Sequence, residues 1–147
     1  MPYRLYSAKK SLSKTLIKPA IKLDIVAFMR QYRLVKQYII EDYITENGIV
    51  PFQEWLTQIK DKRHRIKVGL RLERTERGNL GDWKPIKNSD GICELRLTDG
   101  KGYRIYYRIV KEKIILLLTG STKEDQKKQI TRAKMYYENY KRRTSNA

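Results

Sequence analysis

Acidic residues are scarce in this chain. Only 16 of its 147 residues are Asp or Glu, against 33 Lys or Arg, which leaves a formal net charge of +17. Such a surface is positive over much of its area and seeks a polyanion: nucleic acid, an anionic membrane face or an acidic protein. Cysteine is nearly missing as well. Cys93 alone excludes an intramolecular disulfide and a cysteine cluster for zinc, so a reducing compartment, the cytoplasm, is expected. No apolar run approaches the roughly 20 residues that span a bilayer, and the greasiest stretch, 114–118, has the length of a strand. No membrane partner is therefore expected. The first third also lacks the uninterrupted apolar region and small-residue cleavage site of a signal peptide. Histidine occurs once, at His64, inside the basic run 62–67, where an exposed surface position is its ordinary reading.

What is present divides near residue 36. Residues 1–36 hold nine Lys or Arg and one Asp, mixed with Ser and isolated aliphatics until 23–35 becomes apolar enough for a helix. This stretch reads as a basic N-terminal extension, and Met29 offers an alternative start that would make it an overlong beginning. Residues 37–147 read as one domain, long enough to bury a core unaided. A strand is expected over 38–44, closed by the Glu46-Asn47-Gly48 turn. Pro51 suits the first position of a helix, where a missing N–H is harmless, and Phe52, Trp55, Leu56 and Ile59 recur at helical spacing. A second helix follows to about Arg77 with Ile66, Val68, Leu70 and Leu72 inward, completing a helical hairpin stopped by Gly78.

From Trp83 the period falls to two. Strands at 92–97, 103–110 and 114–118 form a curved antiparallel sheet, the last of them apolar on both faces and so central. Ser121 and Thr122, with Glu124 and Asp125 three residues on, have capping-box spacing before a final helix striped by Ile130, Ala133, Tyr137 and Tyr140. The fold class is α+β. Alternation puts Cys93, Leu95 and Leu97 on one face and Glu94 and Arg96 on the other, while Arg104, Tyr106 and Arg108 oppose the core side of their strand. Antiparallel pairing across 98–102 then brings Arg96, Arg104 and Tyr106 onto one open surface. Guanidinium forks take phosphate oxygens and tyrosine faces stack on splayed bases, so this basic, aromatic groove suits RNA.

The motif series adds a family. Pro51-Phe52-Gln53-Glu54-Trp55-Leu56, Gly78-Asn79-Leu80-Gly81-Asp82-Trp83-Lys84-Pro85, Glu94-Leu95-Arg96, Gly102-Tyr103-Arg104-Ile105-Tyr106-Tyr107 and Leu116-Leu117-Leu118 leading to Lys123 follow in order. In these the chain, over about its last 110 residues, resembles the phage-derived, HigB-like branch of the RelE/ParE toxin superfamily, the addiction-module killer proteins. The resemblance implies a type II toxin that cleaves mRNA, commonly on translating ribosomes, and is neutralised by an antitoxin that often carries a helix-turn-helix. With so basic a toxin, that antitoxin is expected to be acidic. It implies that Arg96 stabilises charge at the scissile phosphate, with Arg104 beside it and Lys123 ahead of the final helix. Lys84 lies where related toxins place substrate-contacting basic groups, and with Lys87, Tyr106 and Arg108 it makes up the expected RNA-binding set.

The implied route uses the RNA's own 2′-hydroxyl as nucleophile and needs neither metal nor cofactor. Where RelE has a late tyrosine this chain has Gln126 or Gln129, which leaves Tyr103, Tyr106 and Lys123 as acid–base candidates. Two further readings stand beside the nuclease: a ParE-like inhibitor of DNA gyrase on the same fold, and a non-catalytic RNA-binding module.

Overall fold

The computed structural model describes residues 24–28 and 37–147. Residues 24–28 are helical, as the apolar stretch 23–35 foretold for that portion; Met29 and the rest of the extension lie outside the described residues. A compact unit spans Tyr38–Ala147. Its elements run β1 (Ile39–Asp42), α1 (Pro51–Gln58), α2 (Lys62–Glu76), β2 (Trp83–Pro85), β3 (Cys93–Arg96), β4 (Arg104–Val110), β5 (Ile114–Ser121) and α3 (Gln126–Ser145). The fold is mixed α+β.

The five strands lie in the order β1-β5-β4-β3-β2. β2 to β5 form an antiparallel meander, but β1 joins β5 in parallel, with Ile39 opposite Ile114 and Asp42 opposite Leu117. The helical hairpin between β1 and the meander supplies the long connection that places β1 beside β5. β5 is central and buried along its length, in keeping with its unbroken apolar run.

Two helical layers cover the sheet. On one face Phe52, Trp55 and Ile59 of the α1 side and Val68 of α2 pack on Leu95, Tyr103, Ile105, Tyr107, Ile115 and Leu117. Burying each large apolar side chain here stabilises the fold by about 1.5–3 kcal/mol. On the other face Ala133 and Tyr137 of α3 cover Tyr106, Leu116 and Leu118. The register slips between Tyr106 and Tyr107, which pair with Thr119 and Leu117, so Leu118 is an extra residue in β5. This bulge lets Leu118 and Thr119 both serve the α3 side.

Helix α2 differs from expectation. Ile66 and Leu70 are about half exposed, whereas Val68 is fully buried. Positions two apart on a helix lie about 200° around its axis, so the four aliphatics cannot share a face; 68 and 72 meet the sheet and 66 and 70 do not. Arg71, read as outward, is turned inward too, donating from Nη2 to the carbonyls of Leu80 and Asp82, and burial lowers its pKa. It pins the segment that leads into β2. Among the described residues no helix is long and apolar enough to cross a membrane.

Asp61 caps α2, accepting from the Arg63 backbone N–H at 2.9 Å. The Arg63 side-chain hydrogen bond, with that backbone bond, holds its carboxyl at about 2, below the ordinary 3.8. A depressed carboxylate pKa contributes stability that is present above the unfolded value and lost as pH falls through the folded one. Thermal melts should therefore weaken between about pH 4 and about pH 2, and Asp61→Asn should flatten that part of the profile. An unchanged slope in the variant would count against the cap.

Candidate nucleic-acid interface

Strand register builds the site. Arg96 of β3 stands directly opposite Arg104 of β4, and Arg104 directly opposite Ser121 of β5. Residues paired in this way share a face, so these three form a row at one end of the sheet, on the α3 side. The adjacent row is Lys84, Glu94, Tyr106 and Thr119. α3 closes the sheet over Tyr106, Leu116 and Leu118 but leaves Arg96 and Arg104 partly exposed.

Two like charges opposite one another in an antiparallel pair repel. Arg96 is balanced by Glu94, its Nε donating to Oε1 at 2.7 Å, and this bond raises the arginine's pKa. The Glu94 side chain keeps 1% of its surface in water and that of Arg96 32%. The second carboxylate oxygen accepts from Gln126 Nε2 at 3.4 Å, at the first residue of α3, where the helix's positive end favours an anion. Among the described residues the Arg96 Nη groups have no hydrogen-bond partner, so the fork is set by Glu94 and its tip is available.

Among the described residues Arg104 has no carboxylate partner. Nη1 donates to the Gly102 carbonyl at 2.6 Å, and its buried Nε has no partner among the described residues. Gly102 lies in the left-handed region, φ +70°, and a Cβ there would stand 3.4 Å from Arg104 Nη1 and 3.6 Å from Lys123 Cβ. Arg104 Nη1 and the Cβ of Lys123 thus both border Gly102. Asp125 turns back to accept from the Thr122 N–H and hydroxyl at 2.7 and 2.8 Å. The turn expected at a capping box is present, but the helix starts four residues after Thr122 and presents Lys123 on the turn.

The structure therefore brings together Arg96, Arg104 and Lys123, with Lys84 in the adjacent row. Lys84, Lys87 and Lys123 are exposed; Lys87 lies beyond β2, in the loop to β3, apart from the two rows. Two expected substrate positions belong to the scaffold instead. Tyr106 is 0% exposed, because α3 covers it, and its hydroxyl bonds Ser121 Oγ at 2.8 Å. Its ring has no face to offer a base, and burial pushes its pKa up to about 12, so it keeps its proton near neutrality. Tyr106→Phe should cost about 1 kcal/mol, a fall in Tm of about 4 °C, and leave RNA affinity unchanged; weakened RNA binding would restore it to the interface.

Arg108 is the other. Its Nε donates to the Asp90 carbonyl at 2.8 Å, Nη1 donates to Ile109, and the guanidinium lies 5.5 Å from the Tyr137 ring centroid. It clamps the β2–β3 loop and α3 to the sheet. Glu94 is not among the residues expected at the site, and His64 is expected at the surface. The signal for Glu94 was available: a carboxylate two residues before Arg96 in a strand points to the same side. His64 instead is partly buried, with Nδ1 2.9 Å from Tyr103 Oη, on the hairpin side of the sheet.

No protein-family model matches the chain. An uncharacterized protein of Haemophilus influenzae is 39% identical over 84 residues, which make up 57% of this chain and 83% of that protein. At that identity and coverage the two share a family, and this chain belongs to the family of the Haemophilus influenzae protein.

Proposed function

We propose that the chain is a toxin of the RelE/ParE superfamily, of its HigB-like branch, that cuts mRNA on translating ribosomes and is held in check by an acidic, helix-turn-helix antitoxin. The observation that carries this reading is the Arg96–Arg104 row: two guanidinium groups on one half-open end of the sheet, one fixed by a buried carboxylate, the other with none among the described residues, and Lys123 bordering the same Gly102. An anion between them relieves their repulsion, and a phosphodiester has the oxygens to accept from both forks.

In the reaction the substrate's 2′-oxygen bonds to phosphorus as the bond to the 5′-oxygen breaks. The proton leaving the 2′-hydroxyl must be taken up, and the departing oxygen must gain one. Arg96 and Arg104 stabilise the charge that develops on the phosphoryl oxygens. Tyr106 keeps its proton and is covered; Tyr103 faces the helical hairpin. Of the three acid–base candidates this leaves Lys123, whose ammonium can protonate the leaving 5′-oxygen while solvent water takes up the 2′-hydroxyl proton and the resulting amine is reprotonated from solvent. The net charge of +17 gives an acidic antitoxin a surface to neutralise, and steers its association.

Inducing the chain in cells while following transcripts and DNA supercoiling tests the reading. Growth arrest with cut transcripts is the expected result. Arrest with intact transcripts and damaged DNA would select the ParE-like gyrase inhibitor, and harmless expression with RNA retained would select a binding module; either result would overturn the nuclease.

A further inference from the structure

A cavity lies around the end of the sheet from the arginine row. It occupies about 390 Å³ beneath the α1–α2 turn, facing 101–103 and 122–125, a size within the about 300–1,000 Å³ of small-molecule sites. Its walls are rings. Trp55 meets Tyr103 edge to face at 6.2 Å between centroids, and His64 meets Tyr103 in the same manner at 5.4 Å. The imidazole is held at Nδ1 by the Tyr103 hydroxyl at 2.9 Å, and its Nε2 lies 3.9 Å from the Asp61 carboxylate, beyond hydrogen-bond reach. The 98–102 loop closes directly on it: Gly100 has φ +56°, and a Cβ there would stand 2.4 Å from His64 Cε1. Lys67 ties that loop to α2 through Asp99 at 2.8 Å.

We propose that this cavity is a nucleobase subsite, holding a base of the same single-stranded RNA whose phosphate lies at Arg96 and Arg104. The inference rests on that reading of the arginine row. The His64 ring, whose side chain keeps 23% of its surface in water, offers a planar base a stacking partner above the buried Trp55–Tyr103 pair, while Gln58 and Asp125 at the lining supply donors and acceptors for its edge. Continuity supports the same occupant. Lys101 lines the cavity and its carbonyl accepts from the Lys123 N–H at 3.2 Å, so the rim runs without a break from the cavity to the cation beside Arg104. A strand leaving the arginine row passes Lys123 and then Lys101, each able to take a phosphate, before its base turns in. Sequence-dependent cutting would follow from what this pocket accepts.

The chain has two tryptophans, and Trp83 is about half exposed on the edge strand β2, so Trp83→Phe leaves Trp55 as sole reporter. In that background a short single-stranded RNA with 2′-O-methyl riboses, which the 2′-hydroxyl route cannot cut, is titrated in. The expected result is a change in Trp55 emission on binding. His64→Ala should weaken affinity about 5- to 150-fold, the range for loss of one stacked base, and Tyr103→Phe, which keeps the ring but frees the imidazole, should weaken it less. Unchanged Trp55 emission with parental affinity in both variants, while Arg104→Ala still weakens binding, would overturn the subsite and leave the arginine row standing. No RNA binding by the parent would overturn both.

Discussion

Arg104→Ala should lower mRNA cleavage by about 10²–10³-fold, the loss found when one preorganised donor to a developing oxyanion is removed, with the fold intact. Arg104 is the cleaner of the two arginines to remove. Its Nε has no partner among the described residues and its one hydrogen bond among them goes to a carbonyl two residues away, so its loss leaves no buried charge unbalanced. Arg104→Lys should recover only part of the activity, because an ammonium is a point charge and cannot offer the two-pronged geometry that a phosphate takes. The readout is the rate of transcript cleavage at matched expression, with a thermal melt to show that the domain still folds. Full activity in Arg104→Ala would remove the residue from the reaction.

Arg96→Ala should act on stability as well as on activity. It strands Glu94, 1% exposed, with only the Gln126 amide at 3.4 Å. Breaking a fully buried pair costs about 3–5 kcal/mol, and an exposed one far less. Arg96 is partly in water, so a loss of about 2 kcal/mol is expected. Combining it with Glu94→Gln should recover more than half of that loss, since an amide needs no counter-charge in the same place. Strict additivity of the two changes in a double-mutant cycle would contradict the coupling. Activity should stay low in the double variant, which separates the fork's chemical role from its part in balancing Glu94.

These two expectations rest on a face that was largely legible in the sequence. Period two in 92–97 and 103–110 is enough to set Arg96 and Arg104 on the same side, and the unbroken apolar run of 114–118 marks the central strand. What covers that face was not legible. The stripe of Ile130, Ala133, Tyr137 and Tyr140 shows that the last helix packs on something, but spacing carries no address, so Tyr106 and Arg108 looked open when α3 encloses the first and holds the second. The parallel entry of β1 beside β5 is likewise a long-range pairing without local signature. Ile66 and Leu70 were a different kind of miss: four aliphatics two residues apart suit both sides of a helix, and only the position of the sheet decides which pair is buried. His64 was judged from its charged neighbours along the chain, and its partner Tyr103 comes from 39 residues away.

The contrast between the two sides of the sheet is itself informative. Tyr103 and Tyr106 lie three positions apart in the same motif, yet one hydroxyl serves the histidine cavity and the other locks Ser121 in the interior. Strand alternation sets Tyr103 and Arg104 on opposite faces, and Gly102 beside them is bordered by both Arg104 Nη1 and the Cβ of Lys123.

The most direct test of the central claim uses an mRNA on translating ribosomes, with the ribose at the cut position either natural or lacking its 2′-hydroxyl. The account expects the purified chain to cut the natural strand, leaving a 2′,3′-cyclic phosphate, to spare the 2′-deoxy strand, and to spare both once Arg104 is alanine. Equal cutting of the two strands, or cutting that persists without Arg104, would contradict it.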